Sequence, residues 1–327
     1  MSNGSFHRSP AEERMAQDRI RNLSLKQLHA VAAIARLGTM TRAAQELNVT
    51  PAALTARIKG LEDEIGLLLF DRTHAGLKPT DAGRELLWAT DSIGTVLDTC
   101  AERLRALRGG RGGKVSLGVV STAKYFAPSI VGGFARAHPG VEIDLVVGNR
   151  GATVETLRDY RVDLALMGRP PRDFPIAAEA FGPHPLVVIA PPGHRLAARR
   201  GVTREELAEE PFLVREYGSG TRTVFEEFMA GLLVRRAPIG IDNGSNETIK
   251  QTVMAGLGIA LISGHTVAME VAAGRLVLLD VEGLPIRRDW FAVRRAEKVL
   301  SPAGQAFWDF LVEEGATWLP ELPGAAR

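Results

Sequence analysis

Cysteine is almost missing from this chain: Cys100 stands alone among 327 residues, which excludes an intramolecular disulfide and a cysteine-built zinc site. A strong charge of either sign is missing too. The formal net charge of +2 is too small to identify a polyanionic partner, so a nucleic-acid reading has to rest on local charge. No apolar run reaches the roughly 18–20 residues that a membrane-spanning helix needs. The opening MSNGSFHRSPAEERMAQDRI has no apolar stretch and is neither a secretory signal nor an anchor, so a cytoplasmic protein with no membrane partner is expected. The catalytic signatures G-x-S-x-G, H-E-x-x-H and G-x-x-x-x-G-K-[ST] do not occur. His138-Pro139 and His184-Pro185 read as structural turns. No catalytic residue, metal site or cofactor is expected. A solute-binding protein would need an export signal and would have no use for the first hundred residues.

What remains is ordinary soluble material, 45% hydrophobic and 24% charged, long enough for two or three cooperating units. Residues 1–22 are polar and aperiodic and read as a disordered tail. From Leu23 the pattern turns helical: Leu28, Val31, Ala32, Ile34 and Ala35 share one helix face. Gly38 closes that helix, and Thr39 or Thr41 can cap a short alanine-rich one over Arg42–Leu47. Asn48-Val49-Thr50 makes a turn. Thr50 then caps a third helix with Pro51 at its first position, where a missing N–H costs nothing. Leu67–Lys78, with its Thr73–Gly76 turn, predicts a small hairpin. Thr80-Asp81 starts a long helix to about Arg108, along which Leu86, Thr90, Ile93, Leu97, Cys100, Leu104 and Leu107 form a seam suited to a symmetry mate. Cys100 is expected to be buried in that seam. Residues 109–113, GGRGG, read as a hinge.

Helix, short helix, turn, helix, hairpin is the order of a winged helix-turn-helix, whose recognition helix presents its N-terminal residues to base edges in the major groove. The candidates here are Thr50, Pro51, Ala52, Thr55, Ala56, Arg57 and Lys59, with Arg42, Arg72, His74 and Lys78 placed to hold phosphates. This assigns residues 23–80 to a DNA-binding domain and 81–108 to a linker and dimerisation helix.

The stretch from Leu25 to Leu86, above all LEDEIGLLLFDR followed by LKPTDAG, resembles the LysR-type transcriptional regulators. Where many members carry Ser-Gln-Pro, this chain has Thr50-Pro51-Ala52, and Thr55-Ala56 replaces a Ser-Arg pair. The resemblance implies a homodimer through the linker helix, assembly into a homotetramer, double-stranded promoter DNA and RNA polymerase as partners, and a periplasmic-binding-protein-like effector domain.

That second half reads as α/β. Strand-length apolar runs at Val115–Val120, Val141–Val147, Asp163–Met167, Leu186–Ala190, Phe212–Arg215 and Ile259–Ser263 alternate with helical patterns at Phe126–Ala137, Thr221–Val234 and Glu247–Ala255. Mainly parallel sheets are expected. The effector domain is placed at 114–316, with lobe I at about 114–185 and 287–316, lobe II at about 186–286, and a tail over 317–327. Three loops leading into helices, Ser121-Thr122, Gly218-Ser219-Gly220-Thr221-Arg222 and Ser245-Asn246-Glu247-Thr248, offer free N–H groups to an anion. Lys124, Arg150, Arg169, Arg215 and Arg222 supply charge nearby, while Glu247 reads as orienting a loop. GVVSTAKYFAP, VGNR, LALMGRPP, FLVREYGSGTR and SNETIKQTVMAGLGIALIS resemble the CbbR subgroup, activators of Calvin-cycle operons for carbon dioxide fixation, which adds Asn149 and Gly168 to the effector set. The likeness implies an effector such as ribulose bisphosphate, another phosphorylated intermediate or NADPH. The alternative is a LysR-type regulator of another pathway with a carboxylate effector; an enzyme or a simple binding protein ranks below both.

Overall fold

The computed structural model describes residues 20, 22–74, 76–107, 112–237 and 245–322 and divides into two compact units, Met1–Leu97 and Asp98–Arg327. Most of the expected N-terminal tail lies outside the described residues, as do 109–111 of the expected hinge.

In the first unit, helix α1 (Leu25–Leu37) begins at a capping box: Ser24 Oγ accepts from the Gln27 N–H, and the Ser24 N–H donates to Gln27 Oε1 at 2.8 Å. Thr39 caps α2 (Met40–Glu46), and Thr50 caps α3 (Pro51–Ile65), where its hydroxyl accepts from the Ala53 N–H at 3.2 Å. Each such cap is worth about 1 kcal/mol. Ala43 and Ala44 are fully buried, and side chains this small let α2 lie close to its neighbours. They share a core with Leu28, Val31, Ile34, Leu54, Ile58 and Leu61. Strands β1 (Phe70–Thr73) and β2 (Gly76–Pro79) form the antiparallel hairpin. The Leu77 N–H donates to the Gly38 carbonyl at 2.9 Å, tying the hairpin to the end of α1.

Helix α4 (Asp81–Leu107) starts where Thr80 Oγ1 accepts from the Gly83 N–H at 3.1 Å. Its expected seam changes character along its length. Leu86 and Thr90 are buried, whereas Ile93, Leu97 and Leu104 are 38%, 47% and 55% exposed. Within the single chain Cys100 is exposed; its expected burial in the seam requires a second copy of the helix.

The second unit is a mixed sheet in the order β4-β3-β5-β9-β6-β7, with β8 beside β6. Strands β3 (Gly113–Val120), β4 (Val141–Gly148) and β5 (Leu164–Met167) run parallel, joined by helices α5 (Ala127–Ala137) and α6 (Arg150–Arg158). Beyond them the expectation of mainly parallel pairing fails. The 15-residue β6 (Ile176–Ala190) and β9 (Ile286–Arg295) pair antiparallel along both lobes, and β7 (Ala260–Ser263) and β8 (Val277–Leu278) also add antiparallel. Pro183, Pro185 and alternating charges hide these long strands from a search for apolar runs. Phe212–Arg215 forms only isolated bridges, and α8 (Gly220–Phe228) stops short of Val234. Gly113, assigned to the hinge, pairs with Val141 in the sheet.

One core (Leu117, Phe126, Phe134, Trp290, Phe307) packs between β3–β5 and α11 (Pro302–Glu314). Two others (Val188, Leu207, Phe212, Ile259 and Val187, Ile189, Leu213, Val253) lie around β6 and β7, near α7 (Arg204–Ala208), α9 (Asn246–Met254) and α10 (Ala268–Ala272). The expected C-terminal tail is partly structured. Trp318 and Leu319 pack on the first core and Leu322 on the last, so apolar burial holds the chain to residue 322.

Candidate functional site

On the winged-helix unit, Thr50, Pro51, Ala52, Thr55, Ala56 and Lys59 of the α3 segment are exposed and Arg57 is half-buried. Arg42 on α2 and Arg72, His74 and Lys78 of the hairpin are exposed as well. Thr55 Oγ1 donates to the Pro51 carbonyl at 2.8 Å, so its hydroxyl proton is committed and only its lone pairs and methyl face outward. Thr50 uses its hydroxyl oxygen as the acceptor of the cap and keeps its O–H proton to donate.

In the lobed unit a narrow cleft opens where several chain segments end together. Val120 and Met167 close strands β3 and β5, Ser219-Gly220-Thr221 opens α8, and Arg150 opens α6; Ser121, Thr122, Gly168, Arg169, His184, Leu186, Val224 and Arg288 complete the lining. The two helix N-termini bring positive dipole ends to this cleft. Asn149 Oδ1 caps α6 by accepting from the Ala152 N–H at 2.9 Å. Gly218, at φ 81°, accepts from the Gly151 N–H at 3.3 Å across the cleft mouth. A side chain there would be strained by that φ and would meet Asn149.

Three guanidinium groups border the cleft. Arg150 donates to the Arg169 and Pro170 carbonyls at 3.1 and 3.5 Å, and among the described residues it has no carboxylate partner. Burial and the neighbouring Arg169 charge push its pKa down, a crowding that a bound anion would relieve. Arg169 and Arg288 share Glu227, at 3.5 and 3.0 Å. That carboxylate is half exposed, so the pairs contribute little to stability.

Not every expected effector residue lines this cleft. Arg215 is buried and committed: it pairs with Glu216 at 2.7 Å, reaches Ser121 Oγ at 3.2 Å and bonds Asn246 Oδ1. Asn246 also donates to the Ser121 carbonyl at 3.2 Å. Arg222 is held by Glu226 at 2.8 Å and the Arg215 carbonyl at 3.0 Å, and lies 3.7 Å from the centre of the Tyr217 ring. Glu247 accepts from the Tyr125 hydroxyl at 2.9 Å and pairs with Lys250 at 3.1 Å. Burial works to raise its carboxyl, but Tyr125 and Lys250 outweigh it and hold the pKa low. Lys124 lies over Tyr125, and the Thr248 N–H donates to the Ser245 cap. Arg215, Asn246 and Glu247 thus bond from one lobe to the other, while Arg222, Lys124 and Thr248 are engaged within their own lobe.

Two polar lining residues escaped the sequence reading. Arg288 lies in a strand that the apolar-run search passed over. His184, read as a turn residue, is a buried member of β6 directly opposite Arg288. Its ring stacks on Trp290 at 3.8 Å, and burial, with His265 and Arg288 nearby, lowers its pKa to about 3. The pairing with a long, charge-bearing strand was the only signal available, and it is not local.

Comparison with known proteins gives this geometry its family. Residues 25–84 match the bacterial regulatory helix-turn-helix protein, lysR family, and residues 108–316 match the LysR substrate binding domain. The chain is 49% identical over 301 residues to the HTH-type transcriptional regulator CbbR of Sinorhizobium medicae, covering 92% of this chain and 96% of that one. It is 44% identical over 297 residues to the RuBisCO operon transcriptional regulator of Allochromatium vinosum, covering 90% and 97%. The regulatory domain of CcmR from Synechocystis PCC6803, solved in complex with 2-PG, superimposes with a TM-score of 0.58 at 36% identity, covering 61% of this chain and 96% of that one. The chain therefore belongs to the LysR family, as a LysR-type transcriptional regulator homologous to the CbbR regulators of RuBisCO and carbon-fixation operons.

Proposed function

We propose that this regulator binds promoter DNA through α3 and the wing, activates carbon-fixation genes, and responds to a phosphorylated metabolite held between its lobes. The observation that carries the effector reading is the cleft itself: Arg150, Arg169 and Arg288 surround the N-termini of α6 and α8. Ribulose bisphosphate, another phosphorylated intermediate and NADPH all carry the charge that this lining would accept. Ser121, Thr122, Gly168, Ser219, Gly220 and Thr221 are the contacts we assign to it, with Arg150 and Arg169 as the charge partners named by the sequence.

For DNA, the exposed positions from Thr50 to Lys59 are assigned to base edges and the near backbone, and Arg42, Arg72, His74 and Lys78 to phosphates. The exposed apolar side chains of α4 support a dimer through that helix, and pairs of dimers would form the tetramer. A cytoplasmic location and contact with RNA polymerase follow from the same role. Effector binding alters transcription to the extent that it favours one lobe arrangement over another, since a ligand shifts an equilibrium only by its differential affinity.

The test is an anisotropy titration of the full chain on the DNA upstream of its nearest divergent operon, with and without ribulose bisphosphate, at two salt concentrations. Specific, salt-sensitive binding that the metabolite changes is expected. Specific binding indifferent to any phosphorylated probe but altered by a carboxylate would move the regulator to another pathway.

A further inference from the structure

His184 stands out among the polar groups of the cleft. It is only 6% exposed, yet neither ring nitrogen has a hydrogen-bond partner among the described residues. Buried polar side chains are ordinarily satisfied, and a buried orphan that lines a binding cleft calls for an explanation. The surroundings hold this ring in place. Trp290 stacks on one face, with the planes 18° apart. Gly168 makes room at its edge: a Cβ at that position would fall 2.4 Å from Nδ1. Trp290 is itself fixed, because its Nε1–H donates to His265 Nδ1 at 2.9 Å. His184 is therefore positioned by packing alone, and its hydrogen-bonding capacity is left over.

The ring also stays neutral, since burial holds its pKa at about 3. A neutral imidazole carries one N–H donor and one acceptor nitrogen. It adds no charge to a cleft that already has three arginines, so the anionic groups of a ligand have stronger partners than this ring. A hydroxyl, which can donate or accept, suits whichever nitrogen meets the ligand in either tautomer. We propose that His184 reads a hydroxyl group on the bound anion, so that the cleft selects a hydroxylated phosphate ester over an equally charged one without the hydroxyl. This rests on the anion reading of the cleft and adds its selectivity.

A matched pair of probes separates the two: 3-phosphoglycerate, and 3-phosphonooxypropanoate, which has the same charges and no hydroxyl. Each is titrated calorimetrically into the full-length wild type and into His184→Phe and His184→Gln, with thermal melts to confirm folding. Wild type is expected to prefer the hydroxylated probe by roughly ten-fold, the scale of one hydrogen bond. His184→Phe, which keeps a ring against Trp290, should lose that preference by losing more affinity for the hydroxylated probe than for the deoxy one, and His184→Gln should keep part of it. Equal affinity of wild type for both probes overturns the hydroxyl inference and leaves the anion site standing, whether or not the variants fold. An equal loss for both probes in His184→Phe reduces His184 to a packing residue and also overturns it. If wild type binds neither probe, the anion reading falls and takes this inference with it.

Discussion

The candidate contacts of the winged-helix unit are exposed side chains on short, self-capped elements, whereas those of the lobed unit are mostly engaged with one another. On α3, Ala52, Ala56 and Lys59 are exposed, and Leu54, Ile58 and Leu61 on the same helix anchor it to the core of the unit. Around the cleft, Arg215, Arg222, Asn246 and Glu247 are already bonded within the protein. A surface that meets a rigid polyanion can be prepared by local structure. A cleft that must change when a small ligand arrives needs internal bonds between its lobes, since only bonds that differ between states can be biased.

Removing the scaffold breaks this comparison most severely. Leu54→Ala removes a fully buried side chain and should cost about 2–5 kcal/mol. A calorimetric scan should show the winged-helix transition lowered while phosphorylated ligand still binds the lobed unit; simultaneous loss of both would show the units to be one cooperative body.

Acid should separate the units next. His184 and His265 have pKa values lowered to about 3 and about 4 from 6.5, chiefly by burial. Below pH 6.5 the unfolded chain binds protons that the folded lobes refuse. Their stability is thus full above that pH and falls as the pH drops toward 4, by about 2 kcal/mol per histidine at pH 5. His184→Phe should flatten that fall by about half in denaturant melts of the full chain at pH 7 and pH 5. An unchanged slope would place the proton uptake elsewhere.

Charge in the cleft is the next lever. Arg150→Met should weaken binding of a phosphorylated ligand about 10- to 100-fold, in line with about 1.5–3 kcal/mol for a hydrogen bond to a charged group, and leave specific DNA binding of the unliganded protein unchanged. A matching loss in the DNA assay would contradict the division of labour. The smallest effect belongs to the wing. Lys78→Ala should weaken binding uniformly across DNA sequences and reduce the salt slope by about 1; a change confined to one sequence would make Lys78 a base reader.

Much of the first unit was legible in the chain because its determinants are local. Gly38, Thr50 and Pro51 are cap residues recognisable by position, and the apolar spacing of α1 and α3 is that of any amphipathic helix. The parallel half of the second unit was legible for a similar reason, its strands being short apolar runs with a helix between one and the next. The long antiparallel strands were not. Glu179, Pro183 and Arg287 are exposed positions on strands that pass from one core to the next, so no single period marks them.

By itself, then, the sequence determined the kind of parts: a capped helix-turn-helix, a hairpin, a long helix and an α/β domain of the LysR substrate-binding kind. Only the tertiary structure decided which arginines are available. Whether Arg150 or Arg215 meets a ligand depends on the carboxylates and carbonyls that distant segments bring within hydrogen-bonding range. Glu216 pairs with Arg215, while among the described residues Arg150 donates its hydrogen bonds to main-chain oxygens. His184 gained its place the same way, through the pairing of residues about a hundred positions apart. Caps and helix faces are settled within a few residues of chain, but a binding cleft is settled by long-range pairing and burial.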